Sequence, residues 1–315
     1  MKILVTGANG FIGRALCRAL VAQGDEVLGV TRSGRLDVAG VEVIHADLDA
    51  AAPLREALQG VECVVHLAGR AHLLADTAQD PLAEFRAVNC DATLRLAQLA
   101  REAGCKRFVF MSSIGVNGSH TDGQAFSESS PAVPHADYAQ SKLEAEQGLW
   151  RMLEGDPMEL VIIRPPLVYG VDAPGNFRRL LKLVSSGAPL PFALVNNQRT
   201  MVALENLVDF VQLACRHPQA ANQLYLVADD QSVSTREIVE HLAVGMSRRC
   251  INLPVPVFLL RWTLAAIGRK SLHTQLCGSL VVANHKARAL GWAPRLTARD
   301  ALIATGRGYL PAQRQ

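Results

Sequence analysis

The sequence has no cysteines spaced Cys-x-x-Cys, no dense run of lysine and arginine, and no apolar stretch of membrane-spanning length. Its seven cysteines, at 17, 63, 90, 105, 215, 250 and 277, are odd in number and unpatterned. This argues against a zinc site or any other bound metal. It is the usage expected of reduced thiols, mostly in a core, in a cytoplasmic protein. Net charge is only +3 over 315 residues, which removes the electrostatic reason to invoke a nucleic acid. The most apolar stretch runs from Pro254 to Gly268 and carries Arg261 in its middle. It falls short of the ~20 residues that a span requires. No membrane span is expected there. A core or surface helix is, with loose attachment to a membrane surface left open. The N-terminus enters a β-rich segment at once and then Gly-rich sequence, so no signal peptide is expected.

What is present is an ordinary globular balance, 49% hydrophobic and 19% charged, in a chain long enough for a large core and more than one lobe. Short β-rich runs at Lys2–Thr6, Glu26–Thr31, Val41–His45, Val61–Leu67, Arg107–Met111 and Glu159–Ile163 alternate with helical patterns. One helix is predicted over 11–22. A second is predicted from Asp80-Pro81, which has N-cap and N1 chemistry, to about Ala103, and a third from Tyr138 to about Leu153. Such alternation implies an α/β fold, a Rossmann-type doubly wound parallel sheet covered on both faces. After Arg164 prolines cluster and the alternation lapses. The expected organisation is a dinucleotide-binding domain over 1–165, to which 199–230 returns. A smaller, mainly helical C-terminal lobe over 166–198 and 231–315 binds substrate. Ser234-Thr-Arg-Glu237 reads as a capping box.

Four sites carry chemistry. Thr6-Gly7-Ala-Asn-Gly10-Phe-Ile-Gly13 places glycines three apart between the first strand and the first helix. Backbone amides at that helix start, including those of Phe11 and Ile12, can face a pyrophosphate. The second strand ends Val30-Thr31-Arg32-Ser33, with no acidic side chain to hold a ribose 2′-hydroxyl. Arg32 suits a 2′-phosphate, so NADP(H) is favoured over NAD(H). Asp47, followed by Leu48, either receives the adenine amino group or caps the next helix. Finally, Tyr138 and Lys142 share one helix face. An ammonium near a phenol favours the phenolate, lowering the phenol pKa toward a range useful for moving a proton at a sugar or alcohol hydroxyl.

Taken together, Gly7, Gly10 and Gly13, Asp47-Leu48, His66-Leu67-Ala68-Gly69, Asn89, Ser112-Ser113 and Tyr138 with Lys142 resemble the extended short-chain dehydrogenase/reductase family, over nearly the whole chain. The resemblance implies catalytic roles for Ser113, Tyr138 and Lys142. Ser113 would hydrogen-bond the reacting oxygen, Tyr138 act as general acid or base, and Lys142 hold the nicotinamide ribose. It implies that Leu67, Ala68, Gly69, Asn89 and Pro166 lie along the cofactor. Arg164-Pro-Pro-Leu-Val-Tyr-Gly170, Gly175-Asn176-Phe177 and Arg199 are similar to motifs of the branch acting on nucleotide sugars. This implies a UDP-sugar substrate with Asn176 and Arg199 at the diphosphate. The branch's second phosphate-binding arginine has no clear match, and Arg269, Lys270 and His273 lie near its place. Arg70 and His72 are candidates for the sugar pocket. The resemblance also implies a homodimer paired through the helices at 81–103 and 138–153.

Ser113 is followed by Ile114-Gly115-Val116-Asn117, with no carboxylates, whereas the dehydratases of this branch carry an acidic pair there. That leaves two reactions. Further similarity, in Pro81-Leu-Ala-Glu-Phe-Arg-Ala-Val-Asn89, Asn252-Leu-Pro-Val-Pro256 and Cys277-Gly-Ser-Leu280, points to epimerase-like 4-ketoreductases of bacterial surface-polysaccharide synthesis. Their substrates are UDP-2-acetamido-2,6-dideoxy-4-hexuloses. The alternatives are a UDP-glucose or UDP-N-acetylglucosamine 4-epimerase with retained NAD, and a non-catalytic dinucleotide-binding protein. The intact Ser113, Tyr138 and Lys142 set speaks against the last.

Overall fold

The computed structural model describes residues 1–71, 80–266 and 270–312. Seven parallel strands form one sheet. They are β1 (Lys2–Thr6), β2 (Glu26–Thr31), β3 (Val41–His45), β4 (Cys63–His66), β5 (Arg107–Met111), β6 (Glu159–Arg164) and, from late in the chain, a strand at Gln223–Leu226. Their order is β3-β2-β1-β4-β5-β6 with Gln223–Leu226 outermost beside β6. Strands β1, β4 and β5 are almost wholly buried along their length, while the edge strand β3 has no fully buried residue. Inner strands of a parallel sheet covered on both faces must be apolar on both faces, and the buried residues of these strands are, apart from Thr6, His66 and Arg107 at their ends.

Helix α1 (Phe11–Ala22) covers one face together with a helix at Leu204–Ala214, through Leu16, Leu20, Leu207, Phe210 and Val211. The other face is covered by α2 (Ala51–Ala57) and by two later helices, Ala92–Glu102 and Asp137–Leu153, through Leu54, Leu96 and Leu149. A third cluster, with Tyr169, Phe177, Leu181, Phe192, Leu242 and Leu302, forms the core of the C-terminal lobe. All seven cysteines are free, five buried and two half-buried. Ser234 and Glu237 form the reciprocal capping box that starts a helix over Thr235–Gly245.

The helix expected from Asp80 to about Ala103 is not one helix. Asp80 caps α3 (Pro81–Arg86), accepting from the Ala83 amide at 3.0 Å. A π-helical turn, Ala87–Asp91, then precedes α4 (Ala92–Glu102). The fault is tertiary in origin, because the turn presents the buried Asn89 to the end of the sheet. Insertions of this kind recur at functional sites.

In an open parallel sheet, ligands bind outside the carboxyl ends of the strands where the strand order reverses. Here that point lies between β1 and β4, at Gly7 and Leu67.

Candidate functional site

Gly7 has φ +65°, a left-handed conformation that favours glycine, and a Cβ there would lie 2.8 Å from the Ala68 nitrogen. The turn after β1 and the loop after β4 are therefore in backbone contact. A Cβ on Gly13 would lie 2.1 Å from the Gly7 carbonyl oxygen, so the turn folds directly over the first turn of α1. Gly10 starts that helix with no side-chain cap. The amides of residues 11–13 then have no acceptor within the helix, and no acidic residue lies in the first turn. A close-approach cradle with unspent donors fits a dinucleotide pyrophosphate. Phe11 also packs against the C-terminal core, and Gly170 lies close to its ring.

Beneath the turn, Thr6 Oγ1 lies 2.6 Å from His66 Nδ1, and His66 Nε2 lies 2.8 Å from Thr93 Oγ1. Thr93 donates its hydroxyl to the Asn89 carbonyl, so His66 Nε2 carries the proton and Nδ1 accepts from Thr6. Burial, helped by the Lys142 charge, pushes His66 down to about 3. The ring is a neutral strut. Asn89 accepts from the Arg70 amide at 2.8 Å and donates to the Arg70 carbonyl at 3.1 Å, which ties down the loop Leu67-Ala68-Gly69-Arg70. It also donates to Ser141 Oγ at 3.0 Å, and Ser141 donates to the Tyr138 carbonyl at 2.8 Å. The π-turn is thereby wired to the start of α5 (Asp137–Leu153).

Ser113 follows β5 and is half-buried. Its Oγ accepts from the Gly115 amide at 3.1 Å and caps a short 3-10 turn. A Cβ on Gly115 would lie 3.3 Å from Ser113 Oγ and 3.4 Å from Ala139 Cβ, so Ser113 and the first turn of α5 converge on that glycine. Tyr138 is half-buried, edge-on to Phe85 with ring centroids 6.2 Å apart. Lys142 is buried and donates to the Met111 carbonyl at 2.9 Å, with its Nζ 4.6 Å from the Phe110 ring centroid.

The expected lowering of the phenol is not found. Burial pushes Tyr138 up to about 12, and burial lowers Lys142 to about 8 against the opposing pull of Glu146. Desolvation is what shifts Tyr138, and Lys142 directs a proton to the Met111 carbonyl. One helical turn beyond Lys142, Glu146 is buried and paired with Arg164, which also donates to Asn117 Oδ1 at 3.0 Å. Ser112 donates to the same carboxylate. The sequence reading missed Glu146. Its spacing four residues after Lys142 was visible, but nothing local distinguishes it from the half-exposed Glu144.

At the end of β2, Arg32, Ser33 and Arg35 are exposed, and Asn9 donates to Ser33 Oγ at 3.3 Å. Among the described residues Arg32 forms no ion pair. Asp47 is exposed after β3. It does not cap α2, whose N-cap is Ala50, so the capping alternative falls away. Leu48 packs against the sheet's second core.

The substrate motifs converge elsewhere. The Ile114 amide donates to the Pro165 carbonyl at 3.0 Å, joining the Ser113 loop to the chain after β6. Pro166 is buried, and Leu167 enters the wall of a cavity of about 660 Å³. Asn176, Arg179 and Arg199 line this cavity together with Phe177, Phe192 and Met201. Asn176 and Arg179 belong to a helix over Gly175–Ser185, and Arg179 donates to Asn176 Oδ1 at 3.3 Å. Arg199 is held by the Gly278 carbonyl at 3.4 Å, and burial lowers its pKa. Among the described residues it has no carboxylate partner, which favours an anion in the cavity.

Arg179 is a further cation on the cavity wall that the sequence reading did not name, although its spacing three after Asn176 places both on one helix face. His273 does not line the cavity, although its neighbours Leu272 and Gln275 do. Arg269 and His72 lie outside the described residues, as does the Lys270 side chain. Arg70 pairs with Glu84 at 3.0 Å and stacks over Phe85.

A strand-order reversal with a glycine cradle, a Ser–Tyr–Lys set and a cation-lined cavity define an extended short-chain dehydrogenase/reductase. The chain belongs to the NAD dependent epimerase/dehydratase family, whose family model matches residues 3–228. It is 37% identical over 315 residues to a UDP-glucose 4-epimerase of Vibrio cholerae, covering 99% of this chain and 96% of that one. It is 31% identical over 269 residues to a 2-alkyl-3-oxoalkanoate reductase of Stenotrophomonas maltophilia, covering 79% and 77%. A solved UDP-glucose 4-epimerase with UDP-glucose from Thermotoga maritima shares the fold, with TM-score 0.81 at 19% identity over 100% of both chains.

Proposed function

We propose that this enzyme carries out redox chemistry at C4 of a UDP-linked sugar, as an NADPH-dependent reductase of a 4-keto sugar of the UDP-2-acetamido-2,6-dideoxy-4-hexulose type. The cofactor supplies the hydride. Gly7, Gly10, Gly13 and the amides of Phe11 and Ile12 hold its pyrophosphate. Arg32 takes the 2′-phosphate, Asp47 and Leu48 receive the adenine, and Lys142 holds the nicotinamide ribose. Leu67, Ala68, Gly69 and Pro166 line its path, with Asn89 fixing the loop. Tyr138 donates the proton to the sugar oxygen, and its raised pKa keeps it in the acid form needed for reduction. Ser113 hydrogen-bonds the same oxygen. Asn176, Arg179 and Arg199 receive the diphosphate in the cavity.

The observation that carries the reductase direction is the end of β2, where two exposed arginines and a serine stand in place of a carboxylate. A cofactor gripped by its 2′-phosphate is suited to exchange with a reduced pool. The second reading, a 4-epimerase with retained NAD, is favoured by the Vibrio cholerae relative. Purification without added cofactor, followed by analysis of bound nucleotide, separates the two. Protein that emerges free of nucleotide and consumes NADPH with a UDP-4-keto sugar supports the reductase. Tightly retained NAD, with interconversion of UDP-sugars, would refute it.

A further inference from the structure

The C-terminal lobe carries a surface that neither the cofactor nor the sugar nucleotide uses. Among the described residues, eleven large apolar side chains are exposed, and five of them fall within twelve residues: Ile251, Leu253, Phe258, Leu259 and Trp262. Phe258 is 61% and Trp262 72% exposed. The last three lie on a helix over Val257–Ala266, which buries Leu260 and packs Val257 against the lobe. One side of this helix is thus anchored, and the other turns Phe258, Leu259, Trp262 and Arg261 to solvent. Clustered exposed aromatic and aliphatic side chains cost solubility unless something covers them.

The charge around this face identifies what covers it. From residue 241 to residue 299 there is no aspartate or glutamate, but there are nine lysines and arginines. The remainder of the chain is net acidic, since the whole carries only +3. Arg248, Arg249 and Arg261 are exposed beside the apolar side chains. Of the nine, Arg288 and Arg295 pair with Asp230 and Asp209, and Lys286 lies over Tyr225. One carboxylate reaches the face: Glu240 accepts from Asn252 at 3.2 Å and is paired with Arg236. A short helix with an aromatic face, no acidic residue of its own and three exposed arginines near it has the chemistry of an interfacial anchor on anionic lipid. Its ten residues are too few to span, and no described helix is long and apolar enough to cross a membrane. The helix packs against the following one, Lys270–Cys277, which supplies Leu272, Gln275 and Leu276 to the cavity wall.

We propose that the 251–262 face seats the enzyme on the surface of an anionic phospholipid bilayer, with Phe258, Leu259 and Trp262 in the headgroup boundary and Arg248, Arg249 and Arg261 facing lipid phosphates. The contact is peripheral and independent of which sugar reaction the cavity serves.

The test is flotation of the full chain with vesicles of phosphatidylcholine containing phosphatidylglycerol, against vesicles of phosphatidylcholine alone. Binding to the anionic vesicles is expected, weakening with salt. Trp262 emission should be quenched by brominated lipid, since Trp292 is buried and Trp150 lies on α5 of the other domain. Phe258→Ser with Trp262→Ser should lower vesicle partition by roughly tenfold or more while leaving dinucleotide binding intact. Arg261→Glu with Arg248→Glu should abolish the preference for anionic lipid. Absence of binding overturns the proposal, as does binding unaffected by either variant. So does concentration-dependent self-association that the Phe258 and Trp262 substitutions abolish, because the face would then be covered by a second copy of the chain.

Discussion

Acidification should destabilise this protein through one buried ring. His66 is held at about 3 in the folded chain, against 6.5 for the ordinary imidazole. Between those values the unfolded chain binds a proton that the folded chain does not. Stability is therefore undiminished above the unfolded pKa and is lost as pH falls below it. Each pH unit in that window costs about 1.4 kcal/mol, so falling from pH 6.5 to about pH 5 removes about 2 kcal/mol. The cause is local: both ring nitrogens are already committed, Nδ1 to the Thr6 hydroxyl and Nε2 to Thr93. A second ring proton would displace the one Thr6 donates to Nδ1, and its charge would face Lys142. The assay is urea unfolding at a series of pH values, for the native chain and for His66→Gln. His241, also lowered by burial, contributes in the same direction to both proteins. The difference in slope isolates one proton. Parallel pH dependences in the two proteins would refute the reasoning, and so would an NMR titration placing folded His66 near 6.5. Because Thr6 also accepts from the Ala68 amide at 3.3 Å, the same acid window should loosen the cofactor cradle.

Gly13→Ala should abolish dinucleotide binding and cost about 2 kcal/mol or more of stability, because the added methyl meets the backbone oxygen of Gly7 rather than a side chain that can swing away; unchanged affinity in a binding titration would remove the cradle assignment. Glu146→Gln should cost about 3–5 kcal/mol in urea unfolding, since it leaves the Arg164 guanidinium, 8% exposed, without its carboxylate. The same variant should lower Lys142 further, because Glu146 is the group that opposes its desolvation; a shift upward would contradict the pairing. Tyr138→Phe should retain the fold and cofactor binding while reducing turnover by roughly two to four orders of magnitude, and near-native turnover would exclude it as the proton donor. Arg32→Ala should weaken NADPH binding far more than NADH binding, and equal losses by fluorescence titration would rule out a 2′-phosphate contact.

Several features were legible in the sequence because they follow from local rules. Alternating β-rich and helical segments announced the sheet, since strand and helix periodicity are properties of neighbouring residues. The Gly7, Gly10 and Gly13 spacing announced the tight turn between β1 and α1, because only glycine admits the backbone contacts found there. The Ser234 and Glu237 box started its helix for the same local reason. The tertiary structure alone decided the break in the helix at Asn89, which exists to satisfy Arg70 and Ser141 from distant segments. It raised Tyr138 where a lowering was expected, because burial is a property of everything packed around a group and not of a neighbour one turn away. It brought Asn176 and Arg179 together with Arg199, and selected Glu146 over Glu144 as the buried carboxylate. It left Phe258, Leu259 and Trp262 on the outside of a segment whose composition was equally suited to a core. Spacing along the chain sets which residues share a face; desolvation and convergence depend on which other segments that face meets.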